Sequence, residues 1–88
     1  MGLPEDRVTA FLRYPSSILV DFALSLANLT AQEERAIYLC GRRRMTQELA
    51  AEQADCSVDT IQRWYRAGIK KLSEAWAGSP WIWKLTEK

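Results

Sequence analysis

The sequence of 88 residues predicts an all-α fold, a small helical bundle of about five helices. Apolar residues recur every three to four positions, and no alternating run is long enough for a strand. The three prolines all fall outside the periodic stretches. An apolar content of 48% and a charged content of 26% are typical of a globular protein, and at this length we expect a single core.

The first two predicted helices form an N-terminal extension, residues 1–28, that serves packing or dimerisation. The first covers residues 5–14, because Pro4 is a helix-start signal and acidic residues fill the first turn. The second covers residues 17–27 and is apolar on nearly all sides. Such a helix is either buried or part of an interface.

The third predicted helix has the clearest start signal in the chain. Thr30 and Glu33 have the spacing of a capping box, in which each side chain bonds the other residue's backbone N–H. We expect this helix to end at Gly41, where three arginines follow. A fourth, short helix covers residues 46–54.

The fifth predicted helix begins after Ser57, a good capping residue, and runs to about residue 77, where Gly78 ends it. The tail, residues 79–88, is rich in tryptophan. Its Trp81 and Trp83 either fold back over the core or present an anchor to a partner. One face of the fifth helix is apolar, with Ile61, Trp64, Tyr65, Gly68, Ile69, Leu72 and Trp76.

Two short helices joined by a tight turn and preceded by a capped helix predict a helix-turn-helix within residues 29–78. The motif needs a small residue where its helices cross, and Ala51 occupies that position. It also needs a turn residue that tolerates positive φ, and Asp55 stands there. The apolar positions after the turn are Cys56, Ile61 and Trp64.

Residues 29–72 resemble region four of bacterial sigma factors and the sigma-like helix-turn-helix of phage-encoded transcription regulators. The resemblance implies a three-helix domain whose last helix enters the DNA major groove and which touches RNA polymerase. Asp55 replaces the usual turn glycine, and no promoter-melting region is present, so we expect an accessory regulator. The residues that carry the resemblance are Leu29 to Glu33, Ile37, Leu39, Thr46, Gln47, Leu49, Ala50, Ser57, Thr60, Ile61, Arg63 and Ile69 to Leu72.

The polar face of the fifth helix is the predicted DNA-binding surface. Arg63 can bond guanine, Gln62 adenine and Asp59 cytosine. Cations further along the helix and in the arginine run suit phosphates. The backbone N–H groups of Thr46 and Gln47, at the start of the fourth helix, suit a phosphate as well. The alternative is an ordinary solvated face, with the arginine run serving as a helix cap. Predicted base contacts are Ser57, Val58, Asp59, Gln62 and Arg63, and predicted phosphate contacts are Thr46, Gln47, Arg66, Lys70, Arg42, Arg43 and Arg44.

The composition argues against an enzyme and against a metal or cofactor site. The chain has no histidine, and its only two cysteines are Cys40 and Cys56, which we expect to be buried thiols. No apolar stretch is long enough to span a membrane, so a cytoplasmic protein is expected. A net charge of +1 means that DNA binding must depend on where the charges lie.

The sequence therefore predicts sequence-specific binding of double-stranded DNA by a small transcription regulator, of a kind that phages also encode. One alternative is a protein-interaction module, in which the second helix and the tryptophan-rich tail bind RNA polymerase or a second copy in a homodimer. A further alternative is a DNA-packaging module of the small-terminase type.

Overall fold

A computed structural model describes residues 2–86, and every regular element among them is helical, which confirms the predicted all-α bundle. It has six α-helices where about five were predicted. A π-helical segment, Ile37–Arg42, directly continues the third. The α-helices are α1, Glu5–Leu12; α2, Ser17–Ser25; α3, Ala31–Ala36; α4, Gln47–Gln53; α5, Val58–Trp76; and α6, Pro80–Leu85.

The contacts divide the chain into two compact units in place of one core. The terminal unit combines the chain up to Asn28 with the chain from Ile69 onward, and the central unit runs from Leu29 to Gly68. The central unit therefore ends ten residues before the end of the predicted segment 29–78. The reason is that apolar residues of the second half of α5 share a core with the terminal helices.

Trp76 is the centre of the terminal unit and is fully buried. Its indole N–H donates to the carbonyl oxygen of Ala23 at 2.8 Å, so burial leaves no polar atom unsatisfied. The ring meets Phe11 edge-to-face with 5.1 Å between centroids. Other fully buried side chains of this unit are Leu3, Leu12, Val8, Val20, Leu72 and Ile82.

Leu3, before α1, forms two hydrogen bonds with Ser73 of α5 within the terminal unit. The Leu3 N–H donates to the Ser73 carbonyl at 2.9 Å, and the Ser73 hydroxyl donates to the Leu3 carbonyl at 2.6 Å. A Cβ on Gly2 would clash with the Ser73 hydroxyl oxygen. A larger residue at position 2 would therefore require the Ser73 side chain to shift from its bond to Leu3.

The tryptophan-rich tail forms α6 and folds back, which is the first of its two predicted alternatives. Trp81 is half-buried, with its ring centroid 5.7 Å from that of Phe11. Trp83 donates its indole N–H to the Ala77 carbonyl at 3.0 Å, and the Arg7 guanidinium lies 4.9 Å from its ring centroid. Both side chains thus contribute to the packing of the terminal unit.

Small buried residues bring the three helical stretches of the central unit together. Its core is Ala36, Leu39, Ala50, Ala51 and Ile61, all buried. The alanines let α3, α4 and α5 approach closely, which is the role predicted for Ala51. Half-buried apolar residues surround this core, and they are Cys40, Met45, Ala54, Cys56, Val58, Trp64 and Tyr65.

Both cysteines are free thiols and are half-buried, whereas we had predicted full burial. They pack at the edge of the central core, where their neighbours cover only part of each side chain. Burial raises the pKa of the Cys40 thiol above its usual value. That thiol therefore stays protonated, and unreactive as a nucleophile, to higher pH than an exposed cysteine.

The predicted capping box at the start of α3 is present. The Glu33 N–H donates to the Thr30 hydroxyl oxygen at 3.2 Å, and the Thr30 N–H donates to a Glu33 carboxylate oxygen at 2.9 Å. Two of the backbone N–H groups that a helix start leaves unpaired are satisfied in this way.

The end of the third helix differs from the prediction. The chain does not stop at Gly41, which is buried inside the π-helical segment and has no positive φ. The Arg43 N–H donates to the Tyr38 carbonyl, five residues back, at 2.9 Å. Arg44 then ends the segment with φ of 56°. The left-handed residue that terminates the helix is thus an arginine, a residue type that rarely adopts this conformation.

The turn between α4 and α5 is a Schellman motif with Asp55 in the left-handed conformation, φ 55°, as predicted. The Cys56 N–H donates to the Ala51 carbonyl at 3.0 Å, and the Asp55 N–H donates to the Glu52 carbonyl at 3.2 Å. These two bonds satisfy carbonyls at the end of α4 and reverse the chain toward α5.

Replacing Asp55 with valine should lower the free energy of unfolding by about 1–2 kcal/mol, because a β-branched side chain is strained at positive φ. Asp55→Gly should leave it unchanged or raise it. Urea unfolding followed by far-UV circular dichroism measures both. Asp55→Asn is the control, since asparagine tolerates this conformation without the charge. A loss as large in the asparagine variant as in the valine variant would contradict the argument.

Candidate nucleic-acid interface

The first half of α5 presents one polar face to solvent within the central unit. Asp59, Arg63 and Arg66 are exposed on it, and Gln62 is half-buried. The opposite face carries Ile61, which is fully buried in the central core. The helical spacing that predicted this face therefore corresponds to its observed exposure.

Ser57 directly precedes α5 and caps its first turn. Its hydroxyl oxygen accepts the Thr60 N–H at 3.2 Å and lies 2.8 Å from the Thr60 hydroxyl oxygen. The predicted capping role is present, and it occupies the side chain that we also predicted to contact bases. The Thr60 hydroxyl takes part in the same arrangement.

Val58, a predicted base contact, is more buried than an exposed contact residue would be. It is half-buried and packs against the central core, beside residues such as Ile61. Only the remaining part of its side chain is open to a base. Its methyl groups are thus shared between packing and the predicted DNA surface.

Gln62 and Gln47 form a hydrogen bond between side chains, in which the Gln62 amide nitrogen donates to the Gln47 amide oxygen. Gln47 is the first residue of α4, and Gln62 lies in the second turn of α5. The structure therefore joins a predicted phosphate contact to a predicted base contact. The sequence did not predict this pair, because the contact depends on how α4 and α5 cross and not on the spacing of residues within one helix.

Thr46 caps α4, and its hydroxyl oxygen accepts the Leu49 N–H at 3.2 Å. The residue is exposed, so its hydroxyl proton remains available as a donor. Its predicted phosphate contact uses backbone N–H groups at the start of α4, and the Thr46 hydroxyl already occupies that of Leu49.

The three consecutive arginines lie at the end of the π-helical segment and just after it. Arg42 is half-buried, whereas Arg43 and Arg44 are exposed. A left-handed backbone costs an L-residue on the order of 1–2 kcal/mol, and glycine would avoid most of that cost at position 44. The arginine at this position is an exposed cation three residues before α4 begins.

Lys70 lies on the same helix as Arg66 but belongs to the terminal unit. It is exposed. It is therefore not part of the central-unit surface, although it was predicted as a phosphate contact together with Arg66.

The central unit contains as many acidic as basic residues, six of each, so its net charge is zero. Its cations are concentrated in the arginine run and on α5, whereas α3 and α4 carry most of its anions. Its acidic residues are Glu33, Glu34, Glu48, Glu52, Asp55 and Asp59, and its basic residues are Arg35, Arg42, Arg43, Arg44, Arg63 and Arg66.

No group of three histidine, cysteine or carboxylate side chains within residues 2–86 is placed to hold a metal ion. Of the helices that the structure describes, none combines the length and the apolar character needed to cross a membrane.

The terminal unit carries a second exposed surface, an apolar stripe on α2 and the residue that follows it. Ile18 is 80% exposed, Phe22 57% and Leu26 44%. The helix buries only Val20 and Ala23 on its other side. Of the two outcomes predicted for this helix, full burial is therefore wrong.

Comparison with known proteins gives no match for this chain, whether to a family model, to a characterised protein or to a solved structure.

The capping role of Ser57 can be separated from any role in binding. Ser57→Ala should lower the free energy of unfolding by about 1 kcal/mol, because the Thr60 N–H loses its acceptor. Ser57→Asp should restore that loss, since a carboxylate accepts the same bond and suits a helix start. Urea unfolding of both variants measures this. If the alanine variant were as stable as the wild type, the hydroxyl would contribute nothing as a cap.

Proposed function

We propose that the central unit binds double-stranded DNA, with the first half of α5 in the major groove, and that the protein is a small transcription regulator. The observation that carries this proposal is the arrangement of α4, the Schellman turn at Asp55 and α5. This arrangement has the elements of a helix-turn-helix, whose second helix reads base edges. The resemblance to sigma region four supports the same function.

The chemistry of the exposed face suits base recognition. Arg63 has the planar donor pair that fits guanine, and Gln62 carries the amide that fits adenine. Asp59 can accept from the cytosine amino group. Ser57 and Val58 lie at the start of the same helix, where helix-turn-helix proteins approach the bases, although both also serve the fold.

Phosphate contacts would come from cations around this face. Arg66 follows Arg63 by one turn, and the exposed Arg43 and Arg44 precede α4. Because the central unit is neutral overall, these few cations have to supply the electrostatic attraction. Non-specific binding should therefore lie toward the weak end of the usual range, a Kd of about 10⁻⁴ M.

The arginines of α5 provide the first test. We expect Arg63→Ala/Arg66→Ala to abolish most binding of a labelled random duplex, measured by fluorescence anisotropy at two salt concentrations. Arg66→Ala alone should reduce the slope of log affinity against log salt by about 0.9, the value for one lost phosphate contact.

The matched control removes two exposed cations from the terminal unit, Arg13→Ala/Lys84→Ala. It has the same net charge as the double α5 variant and should bind nearly as well as the wild type. Equal losses in both double variants would mean that only total charge matters. Binding that neither variant weakens would exclude the proposed face.

A second candidate function is self-association through the apolar stripe on α2. Its three residues, Ile18, Phe22 and Leu26, are spaced four apart and are symmetric about Phe22. Two copies in antiparallel orientation could therefore pair Ile18 of each with Leu26 of the other across a two-fold axis. Exposed apolar patches of this kind are typical of interaction sites.

Ile18→Ser/Phe22→Ser should shift the protein toward monomer, because it removes the apolar area that a dimer would bury. Sedimentation velocity over a range of protein concentrations measures this. Leu85→Ser is the control, since Leu85 is an exposed apolar residue on α6. A wild-type protein that is monomeric throughout would overturn this candidate, and a ring larger than a dimer would favour the DNA-packaging alternative.

A further inference from the structure

The hydrogen bond between Gln62 and Gln47 fixes what each amide can still offer to a ligand. The two residues are 15 positions apart in sequence and lie on the two helices of the helix-turn-helix. Gln47 is exposed and Gln62 is half-buried, so both remain open to a partner on the same side. An amide group has two donor hydrogens and one acceptor oxygen.

The hydrogen bond leaves the two amides with different free donors and acceptors. The Gln47 oxygen already accepts from Gln62, so its free hydrogens are both donors. Gln62 has used one hydrogen and keeps the other, together with its own oxygen. It therefore retains one donor and one acceptor. Adenine requires this combination in the major groove, where it offers N7 as acceptor and the N6 amino group as donor.

We propose that Gln47 is a positioning residue, which holds the Gln62 amide in the orientation that selects adenine. This inference rests on the proposed DNA-binding function and deepens it by naming how one base is chosen. In the sequence analysis Gln47 was expected only to contact phosphate. Its remaining donors can still do so, but its carbonyl acts on specificity through Gln62.

Positioning matters because a glutamine side chain has several rotatable bonds. Without a partner, the Gln62 amide would sample many orientations and would lose that freedom on binding. It could also rotate its amide by half a turn and present donor and acceptor in the reverse order. The hydrogen bond to the Gln47 side-chain oxygen favours one order before DNA arrives, which is preorganisation.

Two substitutions at position 47 separate positioning from phosphate binding. Gln47→Leu removes both the acceptor and the donors and leaves an apolar side chain. Gln47→Glu keeps an acceptor for the Gln62 nitrogen, removes the donors and adds a negative charge. The glutamate variant should therefore bind DNA more weakly overall and still prefer adenine, whereas the leucine variant should lose the preference.

The experiment selects bound sequences from a pool of random duplexes with the wild type and each variant, and then measures affinity for the selected duplex and its single-base variants. Wild type should prefer adenine at one position by about tenfold or more, the discrimination expected of a bidentate amide. Gln62→Ala identifies that position by losing the preference there. Gln32→Leu, at an exposed glutamine of α3, is the control and should keep it.

Retained adenine preference in Gln47→Leu would overturn the positioning role, and so would its loss in Gln47→Glu. A merely structural role for Gln47 would lower affinity for all duplexes equally and leave the base ratio unchanged. If the wild type enriched no sequence at all, the proposed DNA-binding function itself would fail. If instead the wild type enriched a sequence and Gln47→Leu kept the same adenine preference, only the positioning role would be overturned.

Discussion

The left-handed turn at Asp55 is the constraint on which the central unit depends. Because α3 and α4 are only six and seven residues long, their stability has to come from packing against neighbours. The turn sends the chain back so that Ile61 reaches the alanines of α3 and α4. The same reversal brings Gln62 to Gln47. One backbone conformation thus determines both the core and the polar pair above it.

Local signals in the sequence were sufficient for features that depend on neighbouring residues. The capping box at Thr30, the cap at Ser57 and the positive φ at Asp55 were all predicted. Each involves residues within five positions of one another, so the residue types alone determine the bonds. The apolar face of α5 was predictable for the same reason, since helical periodicity places it on one side.

Features that depend on distant parts of the chain were not predicted. The division of α5 between two units follows from where the ends of the chain pack, and the contact of Gln62 with Gln47 follows from a helix crossing. The π-helical segment carries the third helix past Gly41 to Arg42, and the left-handed residue that follows is Arg44. Hydrogen bonds in this segment reach five residues back, whereas the predicted α-helix has bonds that reach four residues back. The DNA-binding role of α5 remains a prediction that rests on its motif and its exposed side chains.

The placement of the tryptophans has a consequence for spectroscopy. Three of the four, Trp76, Trp81 and Trp83, lie in the terminal unit, and only Trp64 lies in the central unit. Intrinsic fluorescence therefore reports mainly on the terminal unit, and a central unit that unfolded alone would change the emission of a single indole. Trp64 lies on the helix proposed to meet DNA and packs against the central core. Its fluorescence is therefore the tryptophan signal that comes from the central unit.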